Sequence, residues 1–227
     1  MLLDVLLGGR LDIIDVIIRI ISSLIVIFLT MPVHEYAHAF AAYKLGDNSQ
    51  KYMGRLTLNP FAHIDWFGAL CIILVGFGWA KPVQVNPYSF RMQKRDMAIT
   101  ALAGPLSNLV VAFVAVFLQN LMFYLVYTAQ SLVFYYIAIV FQYIAIINIS
   151  LAVFNLIPVP PLDGSKILAI VLPDRLYYKL MQYERYIYFA VIILVFSGIL
   201  DGPMYFARSY IFGAFSNVTA LPFRLLI

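Results

Sequence analysis

Charge is scarce in this sequence. Asp, Glu, Lys and Arg together make up 11% of the 227 residues, where a soluble domain carries about 25%. That shortage excludes an ordinary soluble domain. Cysteine occurs once, as Cys71, which excludes an intrachain disulfide. Histidine occurs three times. No internal repeat, low-complexity tract or Gly/Ser linker divides the chain, so a single membrane-embedded domain over residues 1–227, with its core at 11–185, is expected. The opening MLLDVLLGGRLDIID lacks the basic start of a cleavable signal peptide and reads as part of the mature chain. What fills the sequence instead is apolar, 63% of all residues. In such a chain the formal charge of +4 reports loop lysines and arginines rather than nucleic-acid binding.

Between Arg19 and Lys44 lie 24 residues, about 36 Å as a helix, enough to cross a bilayer core of about 30 Å. Pro32 inside this run predicts a bend. Residues 44–65 are polar, and GRLTLNP alternates like a short strand. Trp66 to Ala80 is uncharged but short for a span, and its glycines Gly68, Gly76 and Gly78 suit a re-entrant segment. PVQVNP reads as another extended piece. Met97 to Leu162 then runs 66 residues without Asp, Glu, Lys, Arg or His. That length predicts two helices with a turn near 127–131, the second ending before NLIPVPPLDG, where prolines stop it. Tyr186–Leu200 and Ser209–Phe223 are further apolar runs. The fold class expected is an all-α polytopic membrane protein, a bundle of about four to six transmembrane helices with short membrane-associated β or re-entrant segments.

Into the first apolar run the sequence sets HEYAH, residues 34–38. His34 and His38, four apart, lie on one helix face and can offer imidazole nitrogens to one metal ion. Glu35 sits about 100° around the axis and can face a metal-bound water without being a ligand. This is the HExxH pattern, two histidines on zinc with the glutamate as general base. A surface helix with scattered polar residues gives the same letters. At membrane depth, however, such groups are costly unless paired or metal-bound. A catalytic zinc usually has three protein ligands. The remaining histidine, His63, more simply orders the NPFAHIDWFG loop, with Asp65 as a partner. Among the acids Asp163 stands out, since it closes the uncharged run. A helix N-cap or an Asp-Gly turn is its plainer reading.

HEYAH followed by NLIPVPPLDG resembles the site-2 protease family of intramembrane zinc metalloproteases. Asn155, Pro158, Pro160, Asp163 and Gly164 match the family's N-x-x-P-x-P-x-x-D-G motif. AGPLSN resembles its G-x-x-x-N element through Gly104 and Asn108. The resemblance covers residues 34–164 and implies one zinc per chain held by His34, His38 and Asp163, with Glu35 as general base on a zinc-bound water. It makes Asn108 and Asn155 candidates for holding the substrate backbone or the oxyanion, against a plain interhelical hydrogen bond. Gly104 reads first as close helix packing. The chain shows no stretch suited to the PDZ domain that many relatives insert. The extended pieces at 54–59 and 82–87 resemble the family's β segments, where substrate can add as a strand.

The function expected is therefore zinc endopeptidase activity within or near transmembrane segments of membrane-protein substrates. Eleven of the 15 Lys and Arg fall between Lys44 and Arg185. If 66–80 does not cross, they share one side, which the positive-inside rule makes cytoplasmic. A multi-pass protein of the cell membrane is expected, its site opening toward the cytoplasm. Partners are membrane-protein substrates and the bilayer, with no nucleic acid. The rival readings are a catalytically silent membrane-protein binder and a metal transporter. A silent member would be expected to lose Glu35 or a ligand. A transporter would spread its charged groups along several helices.

Overall fold

The computed structural model describes residues 13–75 and 78–224. The opening MLLDVLLGGRLD and Gly76 lie outside them, and with them the start of the expected 11–185 core. The architecture is helical, and no strand forms among the described residues.

Helix α1 runs Ile13–Lys44, 32 residues. It is α-helical at both ends, with a π-helical turn at Val26–Thr30 where the Met31 N–H donates to the Val26 carbonyl. Pro32 explains the turn. It has no N–H, and its ring presses on the carbonyl four residues back, so the backbone widens just ahead of it. Thr30 Oγ1 adds a second donor to Val26 O at 3.1 Å. The bend expected at Pro32 thus takes the form of a local change of helix type, one turn before HEYAH.

Helix α2, Trp66–Val75, has 10 residues. At about 15 Å it is too short to cross. Its Ala69 and Ile72 belong to the buried apolar cluster that also holds Val26, Ile27 and Met31 of α1. Helices α3 (Gln93–Ala129) and α4 (Leu132–Asn155) form the long hairpin. The turn falls where the sequence places it. Gln130 takes the left-handed conformation, φ 49°, and Ser131 Oγ accepts from the Val133 N–H. Buried alanines line both helices, Ala98, Ala101, Ala112 and Ala115 on α3 and Ala138, Ala145 and Ala152 on α4. Small side chains let such helices approach closely in lipid.

α4 stops at Asn155. The proline-rich turn leads into α5 (Asp163–Val171), and α6 (Asp174–Gln182), α7 (Glu184–Phe196) and α8 (Asp201–Thr219) follow. α8 lies on the α3–α4 hairpin through Asn120 Nδ2–Thr219 Oγ1 at 2.8 Å and the edge-to-face pair Phe113–Phe215. Against the expected four to six, three described helices are long and apolar enough to span a membrane: α1, α3 and α4. α7 is 13 residues, about 20 Å, because a turn through Ser197 and Gly198 ends it.

The two extended pieces are present as unpaired chain. Segment 78–86 lacks a ladder because its backbone groups are taken up otherwise. Lys81 N–H goes to His63 O at 2.8 Å, Val83 N–H to Glu35, Gln84 O to Gln50, and Asn86 N–H to Asp47. This strap is seated by two glycines. A Cβ on Gly78 would lie 2.0 Å from the Gly68 carbonyl oxygen, so only glycine allows the strap to cross α2 there.

Candidate metal centre

The α-helical stretch Met31–Lys44 puts His34 and His38 one turn apart, and both rings turn inward, to 9% and 6% exposure. Their Nε2 atoms are 3.0 Å apart. Asp163 Oδ2 lies 3.6 Å from His34 Nε2 and 3.1 Å from His38 Nε2. A tetrahedral zinc with bonds of about 2.0–2.1 Å separates its ligand atoms by about 3.3–3.4 Å. The three observed spacings bracket that value, so two imidazoles and a carboxylate fit the ion and leave one position open. This is the only group of three or more His, Cys, Asp or Glu so arranged among the described residues.

The ring orientations have local causes. His38 Nδ1 sits 2.7 Å from the Thr100 carbonyl oxygen. A carbonyl only accepts, so Nδ1 carries the proton and the Nε2 lone pair faces His34 Nε2 and Asp163 Oδ2. His34 Nδ1 is buried without a hydrogen-bond partner. The rings rest against Gly104 on α3. A Cβ there would lie 2.2 Å from His38 Nε2 and 2.6 Å from His34 Cε1. Gly104, read from sequence as helix packing, makes room for the imidazoles themselves.

Asp163 is the first residue of α5, with Leu162 in the cap position. The N-cap reading of Asp163 therefore does not apply, and its side chain is free to reach the histidines. Its other oxygen, Oδ1, is 3.3 Å from Lys166 Nζ, three residues on. Glu35, 7% exposed, accepts the Val83 N–H on Oε2 at 3.0 Å.

These groups share one cavity of about 360 Å³ with Asn108 and Asn155. Asn108 is 1% exposed and neither end of its amide has a partner. It does not make the interhelical hydrogen bond that was its plainer reading. The strap forms one wall, and Tyr188, Val191, Ile192 and Val195 of α7 form another. His63 does not line the cavity. Its Nε2 donates to the Thr57 carbonyl at 2.8 Å, while Asp65 accepts the Gly68 N–H at the start of α2. The expected His63–Asp65 pairing is replaced by these two loop contacts.

Sequence reading missed Thr100, Val83, Lys166 and the α7 wall. Only Lys166 left a signal, its i,i+3 spacing from Asp163. It also missed Asp47, which is fully buried. Burial pushes the Asp47 carboxyl up, but hydrogen bonds from Ser49 Oγ, the Asn86 N–H, Gln50 Nε2 and the Ser49 N–H outweigh it and hold the group below the usual carboxylate range. A folded value below the unfolded one stabilises fully above the unfolded value of about 3.9, and that contribution is lost as pH falls through the folded value. Melting curves between pH 6 and pH 3 are therefore expected to show wild type losing more stability below about pH 4 than Asp47→Asn. Equal losses would contradict this.

Residues 121–198 match Peptidase family M50, a stretch that contains Asn155 and Asp163. The chain is 38% identical over 172 residues to "Putative zinc metalloprotease YwhC" of Bacillus subtilis, covering 75% of this chain and 78% of the relative. It is 27% identical over 197 residues to "Putative zinc metalloprotease Rip2" of Mycolicibacterium smegmatis, covering 85% and 73%. To the Rip2 of Mycobacterium tuberculosis H37Rv it is 23% identical over 178 residues, covering 77% and 66%. No solved structure matches. Identity of 38% over most of both chains settles the kinship that HEYAH and NLIPVPPLDG suggested: this chain belongs to Peptidase family M50, the site-2 protease family of zinc metalloproteases.

Proposed function

We propose that the protein is an intramembrane zinc endopeptidase, cutting peptide bonds within or near transmembrane segments of membrane-protein substrates. One observation carries the reading. His34, Glu35, His38 and Asp163 line a single cavity inside a helical bundle, and α1, which bears three of them, is long and apolar enough to span a bilayer. In the reading His34, His38 and Asp163 hold one zinc. When bound, zinc supplies Lewis acidity, activating a water and polarising the scissile carbonyl. Glu35 takes a proton from the attacking water as oxygen bonds to the carbonyl carbon. It returns the proton to the amine nitrogen as the C–N bond breaks. Asn108, buried with its amide unpartnered, is a donor for the substrate carbonyl or its oxyanion. Asn155 lines the same space.

A substrate helix keeps its carbonyls in its own hydrogen bonds and must unwind before attack. Cleavage is thus placed near helix-breaking residues, toward the cytoplasmic end under the positive-inside orientation. The protein is multi-pass in the cell membrane, with the cavity facing the cytoplasm. The intact ligand set and Glu35 favour a hydrolase over a silent binder.

The test is cleavage of a panel of single-span substrates by purified, zinc-loaded protein. Cleavage is expected to stop when a chelator removes zinc and to return when zinc is restored. The chelated protein is also expected to melt at a lower temperature, since a bound ion stabilises the fold that holds it. Zinc-loaded protein that cleaves none of the panel would overturn the reading.

A further inference from the structure

The strap 78–86 has no ladder partner among the described residues, yet it sets a backbone N–H on the Glu35 carboxylate. Fixing extended backbone costs conformational entropy, so contacts outside the cavity must hold it. One end is held by the Gly68–Gly78 crossing and by Lys81 N–H on His63 O. The other end is held by two side chains that no motif contains. Asp47 Oδ2 accepts the Asn86 N–H at 2.9 Å and Gln50 Nε2 at 2.9 Å. Gln50 Nε2 also donates to the Gln84 carbonyl at 2.8 Å. Both residues are 0% exposed, and neither lines the cavity.

Their placement follows from α1. The Asp47 N–H bonds Ala42 O at 2.9 Å, four residues beyond His38, so the loop leaves the ligand helix directly. Gly46, at φ +117°, makes the turn, with the Ser89 carbonyl oxygen 3.0 Å from where a Cβ would stand. Asp47 Oδ1 is in turn held by the Ser49 N–H and Oγ. The helix that presents His34, Glu35 and His38 thus also carries the clamp on the strap that touches Glu35.

We propose that Asp47 and Gln50 are positioning residues for the hydrolysis, locking residues 84–86 so that the Val83 N–H stays on Glu35 and orients its carboxylate. The proposal rests on Glu35 being the base. The Val83 donor fixes Oε2 and leaves the second oxygen to meet the water. A strap released at Asp47 lets that donor leave.

The test combines residue-resolved amide hydrogen exchange with steady-state kinetics on full-length, zinc-loaded protein. In Asp47→Ala the Asn86 amide loses its acceptor outright, so Val83 is the diagnostic. Its exchange is expected to quicken about tenfold or more, with kcat down about tenfold, KM within about threefold, and zinc content and α3 protection unchanged. Gln50→Ala is expected to give a smaller change in the same direction and serves if Asp47→Ala does not fold. Asp47→Asn keeps an acceptor oxygen for Asn86 and is expected to return both readings toward wild type. Val83 protection unchanged while Asn86 exchanges freely would overturn the proposal. So would a quickened Val83 with unchanged kcat. If wild type cleaves no substrate, the protease reading falls and Val83 exchange alone decides whether the clamp exists.

Discussion

Glu35→Gln is expected to slow cleavage by about 10²–10⁴-fold, the range that a positioned general base contributes, while zinc stays bound. Glutamine has nearly the same shape and keeps an oxygen for the Val83 N–H, which Glu35 now accepts at 3.0 Å. The strap wall therefore stays in place. The three groups placed to hold the ion, His34, His38 and Asp163, do not change. Only the capacity to take and return a proton is removed. The measurement is single-turnover cleavage of a single-span substrate with zinc content recorded for both proteins. A variant within tenfold of wild type would remove Glu35 from the base role. A variant without zinc would place Glu35 in the metal site instead. Asp163→Asn makes the contrast. It replaces a charged ligand with a neutral one, so zinc retention is what it should weaken.

The parts legible in sequence are local ones. HEYAH declares its geometry because i,i+4 on a helix is fixed by the 3.6-residue turn. The α3–α4 turn and the end of α4 were legible because uncharged length and proline leave few alternatives. Asp163 was visible only as the acid that ends the long run, and only a family motif made it a candidate ligand. What escaped is carried by backbone groups, which have no letter of their own. Thr100 acts through its carbonyl, 62 residues from His38, and Val83 through its N–H, 48 residues from Glu35. Asp47 escaped because its partner is the Asn86 N–H, across 39 residues. The extended pieces read as strands since alternation fits a strand. In the structure side chains and a loop carbonyl take the hydrogen bonds that a second strand would take.

Gly104→Ala is expected to weaken zinc binding by about 10–100-fold, an overpacking penalty of about 1–3 kcal/mol falling on the ligands themselves. The added methyl would lie 2.2 Å from His38 Nε2, 2.5 Å from its Cε1 and 2.6 Å from His34 Cε1. Ordinary contact needs well over 3 Å, so something must move. Behind His38 stands the Thr100 carbonyl, 2.7 Å from Nδ1. Thr100 and Gly104 are one turn apart on α3, so the ring is gripped between two points of a single helix. It cannot retreat from the methyl without giving up the bond that fixes its tautomer. Moving α3 instead would disturb the packing of a helix whose Ala101 and Ala112 are at most 1% exposed. The two imidazoles are therefore the softer element, and the cost is expected to appear as lost metal. Competition with a chromogenic chelator measures it directly, without requiring cleavage. Leu106→Ala, at a 54% exposed position on the same helix, is the control and should retain wild-type affinity. If Gly104→Ala holds zinc as tightly as wild type, the two imidazoles are not where the ion binds, and the centre must be sought elsewhere in the cavity.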